Sequence, residues 1–109
     1  MDEPESPAVA PGAGLPGLAL DTQEFLKALG SPTRQRIMLL FAGGAELSVG
    51  QVAERTGISQ ATASQQLTLL RRGRVVTSRR DGKTVYYRAD RDGAVAALAK
   101  LQSYLMTCC

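Results

Sequence analysis

At 109 residues the chain supports one domain of moderate size, and 44% hydrophobic content with three tyrosines, two phenylalanines and no tryptophan suits an aliphatic helical core. No run of about 18 apolar residues offers a membrane-spanning helix, and acidic residues stand where a signal peptide needs basic ones, so the expected location is the cytoplasm. The net charge of +3 is uneven: residues 1–20 carry −3, leaving +6 on residues 21–109, where thirteen cations face seven of the ten acidic residues.

Residues 1–20 hold four of the five prolines and three glycines without helical or strand period, which reads as a disordered Pro/Gly/Ala-rich arm. Its acidic start, Asp2, Glu3 and Glu5, is read as part of a passive tail. The remainder, residues 21–109, reads as one folded domain. Asp21 and Glu24 make an acidic first turn, and Phe25, Leu26 and Leu29 form an apolar stripe that stops at Gly30. Ser31 then caps a second helix with Pro32 at its first position and Ile37, Leu40 and Phe41 toward the core, until Gly43-Gly44 breaks it. Lys27, Arg34 and Arg36 read as surface charges.

From Glu46 to Gly73 the spacing is that of two short helices joined by a tight turn. Ser48 with Gln51 makes a capping box, Val49, Val52 and Ala53 form a buried face, and Gly57 provides a left-handed stop. Ser59 caps the second helix, whose buried stripe is Ala63, Leu67 and Leu70. Its other face holds Gln60, Ala61, Thr62, Ser64, Gln65 and Thr68, with no carboxylate. Gln pairs bidentately with adenine, Ser and Thr reach phosphates or bases, and the missing negative charge avoids repulsion, so this face suits a major groove. Ser59, Gln60, Thr62, Ser64, Gln65 and Thr68 are the candidate DNA contacts on this helix.

After Gly73 the period changes to 2, and Asp81-Gly82 between two β-rich runs predicts a hairpin with those two residues at the turn. The basic excess lies here: Arg71, Arg72, Arg74, Arg79, Arg80 and Lys83 are the candidate phosphate contacts, joined by Arg88 and Arg91 and opposed by Asp81 and Asp90. From about Asp92 to Met106 a long amphipathic helix carries Ala94, Leu98, Leu101 and Leu105 on one stripe. With the first helix it could bury that face against a second copy of the chain, the alternative being simple packing on its own domain. Asp90 and Asp92, at its start, read as caps.

LKALGSPTRQRIMLLF, ELSVGQVAERTGISQATASQQLTLLR and VVTSRRDGKTVYYRA, in this order, resemble an ArsR/SmtB-type winged-helix repressor over roughly residues 21–106. The resemblance implies an α+β winged helix-turn-helix of about five helices with a two-stranded wing. It further implies a homodimer built on the first and last helices that binds an imperfect promoter palindrome and is released by an inducer. Three departures bear on the reading. Where thiol-type metal sensors of the family read ELCVCDL, Ser48 and Gly50 replace the thiolates. The chain has no histidine, so an imidazole-rich zinc or nickel site cannot be built from it alone. Where the family has Ala-Gly, this chain has Gly73-Arg74: either the helix ends early at Gly73, or Arg74 takes a positive φ.

Cys108 and Cys109 are the remaining soft ligands, a metal or redox candidate for arsenite or another thiophilic ion, as in some arsenite-responsive relatives, or else two inert thiols at a frayed terminus. A vicinal disulfide fits poorly, because adjacent Cα atoms lie about 3.8 Å apart, below the roughly 4.4 Å of ordinary bridges. The competing reading is a regulator without its own metal site, acting constitutively or through a co-regulator protein that supplies ligands, for nickel among others. Enzymatic chemistry is not expected, since no histidine, paired carboxylates, phosphate loop or activated nucleophile is in view.

Overall fold

The computed structural model describes residues 17–109, so most of the expected arm lies outside the described residues. The helix α1 (Leu20–Leu29) buries Thr22, Phe25 and Ala28, not the expected triplet: Leu29 is half-buried and Leu26 points outward. The small Ala28 makes the inner contact because the chain at Gly73 comes too close for a larger side chain. In α2 (Pro32–Leu39) the Ser31 hydroxyl accepts the Arg34 amide at 3.3 Å and Ile37 is buried; just past its end Phe41 is buried too, with Leu40 packed beside the core. A 3-10 turn (Ala42–Gly44) follows, with Gly43 and Gly44 at φ 74° and 82° ending the helical path.

Arg34 is not the free surface charge its sequence suggests. Its Nε and Nη2 donate to the carbonyls of Ala28 and Lys27 at 2.9 and 2.7 Å, and Nη1 donates to Gln66 Oε1 at 2.9 Å. The guanidinium therefore satisfies the open carbonyls at the end of α1 and ties them to a side chain 32 positions away.

Leu47–Ser48 form β1, and α3 (Val49–Thr56) begins with the full capping box: Gln51 N donates to Ser48 Oγ at 3.2 Å and Ser48 N donates to Gln51 Oε1 at 2.8 Å. Gly57, at φ 73°, makes the left-handed stop, and α4 (Gln60–Arg72) starts where Ser59 Oγ accepts the Thr62 amide at 3.0 Å. Ala63, Leu67 and Leu70 are fully buried as the spacing demands.

At the exit from α4, Arg74 takes the positive φ. Arg74 N donates to Arg71 O and Val75 N to Leu70 O, a Schellman closure with Arg74 at the left-handed position, φ 64°. Glycine is needed one residue earlier for a different reason. A Cβ on Gly73 would lie 2.4 Å from Ala28 Cβ and 2.8 Å from Glu24 O, so the end of α4 rests directly on α1.

Strands β2 (Val76–Asp81) and β3 (Thr84–Ala89) form the wing, and β1 pairs with β3, giving a three-stranded antiparallel sheet in the order β1-β3-β2. The third strand is an addition to the expected two; two residues are too few to leave a period in the sequence. Asp81 pairs with Thr84, so the loop is Gly82-Lys83, one position on from the expected turn. Gly82, at φ 64°, carries the positive dihedral, and Asp81 stays in the strand. Phe41, Ile37, Leu67, Leu70, Val52, Val75 and Val76 fill the core between these elements.

In α5 (Arg91–Cys108) Asp90 caps the helix by accepting the Gly93 amide at 2.9 Å. The expected stripe divides in two. Ala94, Ala97 and Leu101 lean on the core, while Val95, Leu98, Leu105 and Met106 are 60%, 56%, 47% and 77% exposed. Leu20 and Leu26 of α1 are exposed as well.

Candidate nucleic-acid interface

Opposite the buried stripe of α4, Ala61, Gln65, Thr68 and Arg72 recur at successive helical turns, with Gln60, Ser64 and Arg71 along one flank. Gln60, Ala61, Ser64 and Gln65 are exposed. Among the described residues, the side chains of Gln60, Ser64 and Gln65 make no hydrogen bond within the chain. Thr62 lies on the other flank with Oγ1 2.9 Å from Ser59 Oγ, and the Thr68 hydroxyl donates to Ser64 O at 2.9 Å. Ser59 and Thr62 thus build the start of the helix, while the two glutamines and Ser64 keep their full bonding capacity for a base edge.

The pleat separates the wing cations. Arg80 lies on the same face as Val76 and opposite Val85, which packs on the core; Arg79 lies on the other face, opposite Tyr86. Arg80 therefore shares the side on which α3 and α4 sit. There a cleft of about 350 Å³, lined by Ser48, Gly50, Gln60, Lys83, Thr84 and Val85, separates the wing tip from the start of α4.

Three of the candidate cations stand elsewhere. Arg72 and Arg74 line a cleft against Leu20, Asp21 and Glu24 of α1. Arg79 forms a bidentate pair with Glu46, a residue to which local sequence pattern assigns no role. Its Nε and Nη2 donate to the two carboxylate oxygens at 2.9 and 2.7 Å. That pairing holds the Glu46 carboxyl below its ordinary pKa. Thirty-three positions separate the two residues, so no local signal announces the contact.

Cys108 and Cys109 are exposed, with sulfurs 3.6 Å apart at the end of α5. Among the described residues no group of three or more His, Cys, Asp or Glu side chains is arranged to hold a metal ion, so none of them gives the thiol pair a third such ligand. No helix among the described residues is long and apolar enough to cross a membrane.

Comparison with known proteins agrees with this geometry. A helix-turn-helix domain model matches residues 29–79. The nodulation protein NolR of Rhizobium meliloti is 36% identical over 77 residues, 71% of this chain and 62% of that protein. The biofilm growth-associated repressor of Agrobacterium fabrum is 36% identical over 83 residues, 76% of this chain and 70% of that protein. The match thus spans roughly two thirds of these relatives' own length. The solution structure of a homodimeric winged helix-turn-helix domain from Mycobacterium bovis, described as a possible ArsR-family regulator, superposes with TM-score 0.62 at 28% identity, covering 84% of this chain and 90% of that one. With the three-part motif, the capped helix pair and the basic wing in place, the chain belongs to the ArsR/SmtB family of winged helix-turn-helix transcriptional regulators, DNA-binding proteins and not enzymes.

Proposed function

We propose that the chain is a cytoplasmic repressor that binds a two-fold symmetric promoter site as a homodimer. The observation that carries this reading is the exposed, carboxylate-free face of α4, with Gln60, Ser64 and Gln65 uncommitted, beside Arg80 and Lys83 on the same side of the wing. In this reading Gln65 and its neighbours read bases, and Arg71, Arg80 and Lys83 hold phosphates on either side. The apolar side chains left exposed on α1 and α5 support a second copy as partner, and the homodimeric relative supports the same. Selection of duplexes from a random-sequence pool tests it. The expected product is a palindrome with half-sites one helical turn apart, or a multiple of that; a pool that shows no enrichment overturns the reading.

For the inducer, the exposed thiol pair supports release by arsenite, another thiophilic ion or an oxidant. A sulfur separation of 3.6 Å lets one ion bridge both thiolates, with an exogenous third ligand. The lack of a third protein ligand among the described residues supports the second reading, in which a co-regulator protein supplies it or the repressor is constitutive. Arsenite or oxidant should weaken DNA binding of the wild type and not of a Cys108→Ser, Cys109→Ser variant. An equal response of both removes the cysteines from the mechanism. No response in either leaves the co-regulator and constitutive readings.

A further inference from the structure

Among the described residues, Arg79 differs from the other wing cations in having donors already engaged. Two of its nitrogens bind Glu46, and its guanidinium lies 4.9 Å from the centre of the Tyr86 ring. Ser48 of β1 pairs with Tyr86 of β3, and Tyr86 pairs with Arg79 of β2, so this single side chain runs across the sheet and ends beside the residue that leads into β1 and α3. A planar fork held by two parallel bonds and a stacked ring fixes direction as well as distance. Its charge is largely neutralised by Glu46, with Asp81 a weaker neighbour at 4.0 Å.

We infer that Arg79 is a positioning residue and not a phosphate contact: clamped to Glu46 over Tyr86, it sets the pitch of the wing against the helix-turn-helix and thereby the fidelity of DNA reading. The inference rests on the DNA-binding reading above. A wing of fixed pitch lets Arg80 and Lys83 reach the backbone only when α4 is seated correctly in its groove. A wing of free pitch lets them reach it on any sequence. The clamp therefore acts on discrimination more than on total charge contact.

Arginine and lysine distinguish the two roles, because a phosphate contact tolerates lysine and a bidentate clamp does not. Anisotropy should be measured over a salt series with the duplex recovered by selection and with a scrambled duplex of equal composition. Arg79→Lys and Arg79→Gln should each reduce the preference for the selected duplex roughly tenfold while leaving the log–log salt slope unchanged. Arg80→Gln should instead lower the slope by about 0.9 for each phosphate that Arg80 neutralises in the wild type. Glu46→Gln should lower the preference as Arg79→Lys does and release a cation, leaving the slope unchanged or steeper. The inference is overturned if Arg79→Lys matches the wild type while Arg79→Gln lowers the slope, or if neither change alters preference.

A measurement without DNA separates the clamp from the function. The Arg79 Nε–H resonance should be shifted and slow to exchange in the wild type, and should move to the position of an exposed arginine in Glu46→Gln while the remaining spectrum stays folded. An unmoved resonance refutes the clamp itself. If the resonance moves as expected but the wild type selects no duplex, the clamp stands as structure and both the DNA reading and its positioning role fall.

Discussion

In α4 the apolar stripe of Ala63, Leu67 and Leu70 is wholly covered, whereas in α5 only Ala97 is buried and Val95, Leu98, Leu105 and Met106 stand in solvent. The two helices therefore meet different partners. The half built on α3, α4 and the wing is closed within one chain: its helix starts are capped, its core is filled, and its exposed side is polar. The half built on α1 and α5 is open, with leucines exposed on both helices. A reading head that is complete by itself, carried on helices that are not, is the division expected of a protein that reads two half-sites as a pair.

The contrast is broken most strongly at the open half. Leu98→Asp together with Leu105→Asp should leave the monomer folded and abolish the dimer, with a loss of affinity for a palindrome of about 10²–10⁴-fold as the second half-site becomes a separate binding event. Sedimentation and anisotropy on the same sample check it; a dimer that survives both changes places the interface elsewhere. At the closed half the converse holds. Leu67→Ala should cost about 2–5 kcal/mol of stability, the range for emptying a filled core site, while leaving the mode of association unaltered. Urea unfolding measures it, and a cost under about 1 kcal/mol would mean that the core is looser than its burial implies.

A smaller effect sharpens the polar side of α4. Gln65→Ala should relax preference at one base pair at a cost of about 1–3 kcal/mol, read by competition among single-base variants of the selected duplex. Equal weakening on every sequence would instead make Gln65 a backbone contact. The smallest effect lies where the halves meet, at the Asp21–Lys100 pair between α1 and α5. The hydrogen bond from Lys100 holds the Asp21 carboxyl below its ordinary pKa, with Arg74 adding to it. A depressed carboxylate contributes stability above its unfolded pKa and loses it as pH falls through the folded one. Asp21→Asn should therefore flatten the stability curve between about pH 5 and 3, with little change near neutrality. Parallel curves for variant and wild type would contradict the pairing.

What was legible in the sequence was local. Ser31, Ser48 with Gln51, Gly57 and Ser59 each act within four residues of their partners, and each stands where its chemistry requires. The buried stripe of α4 followed from its period for the same reason. The pairings that escaped join distant segments: Arg34 with Gln66, Glu46 with Arg79, Leu47 with Tyr87. Gly73 shows the limit most clearly. Its sequence position suggests a helix stop, but the structure uses its missing side chain to admit α1, and the stop passes to Arg74 at some backbone cost. Of the candidate site, the exposed, carboxylate-free face of α4 was readable because helical period fixes it. Which wing cations stay free on the side of α4 was not, because the one-residue shift of the turn and the reach of Glu46 decide it.

The central claim, that this chain holds duplex DNA through α4 and the wing, is tested most directly by anisotropy of the selected duplex against salt. Log affinity should fall linearly with log salt, each phosphate contact adding about 0.9 to the slope, and with two chains bound per duplex. A flat response, or no binding at low salt, would contradict it.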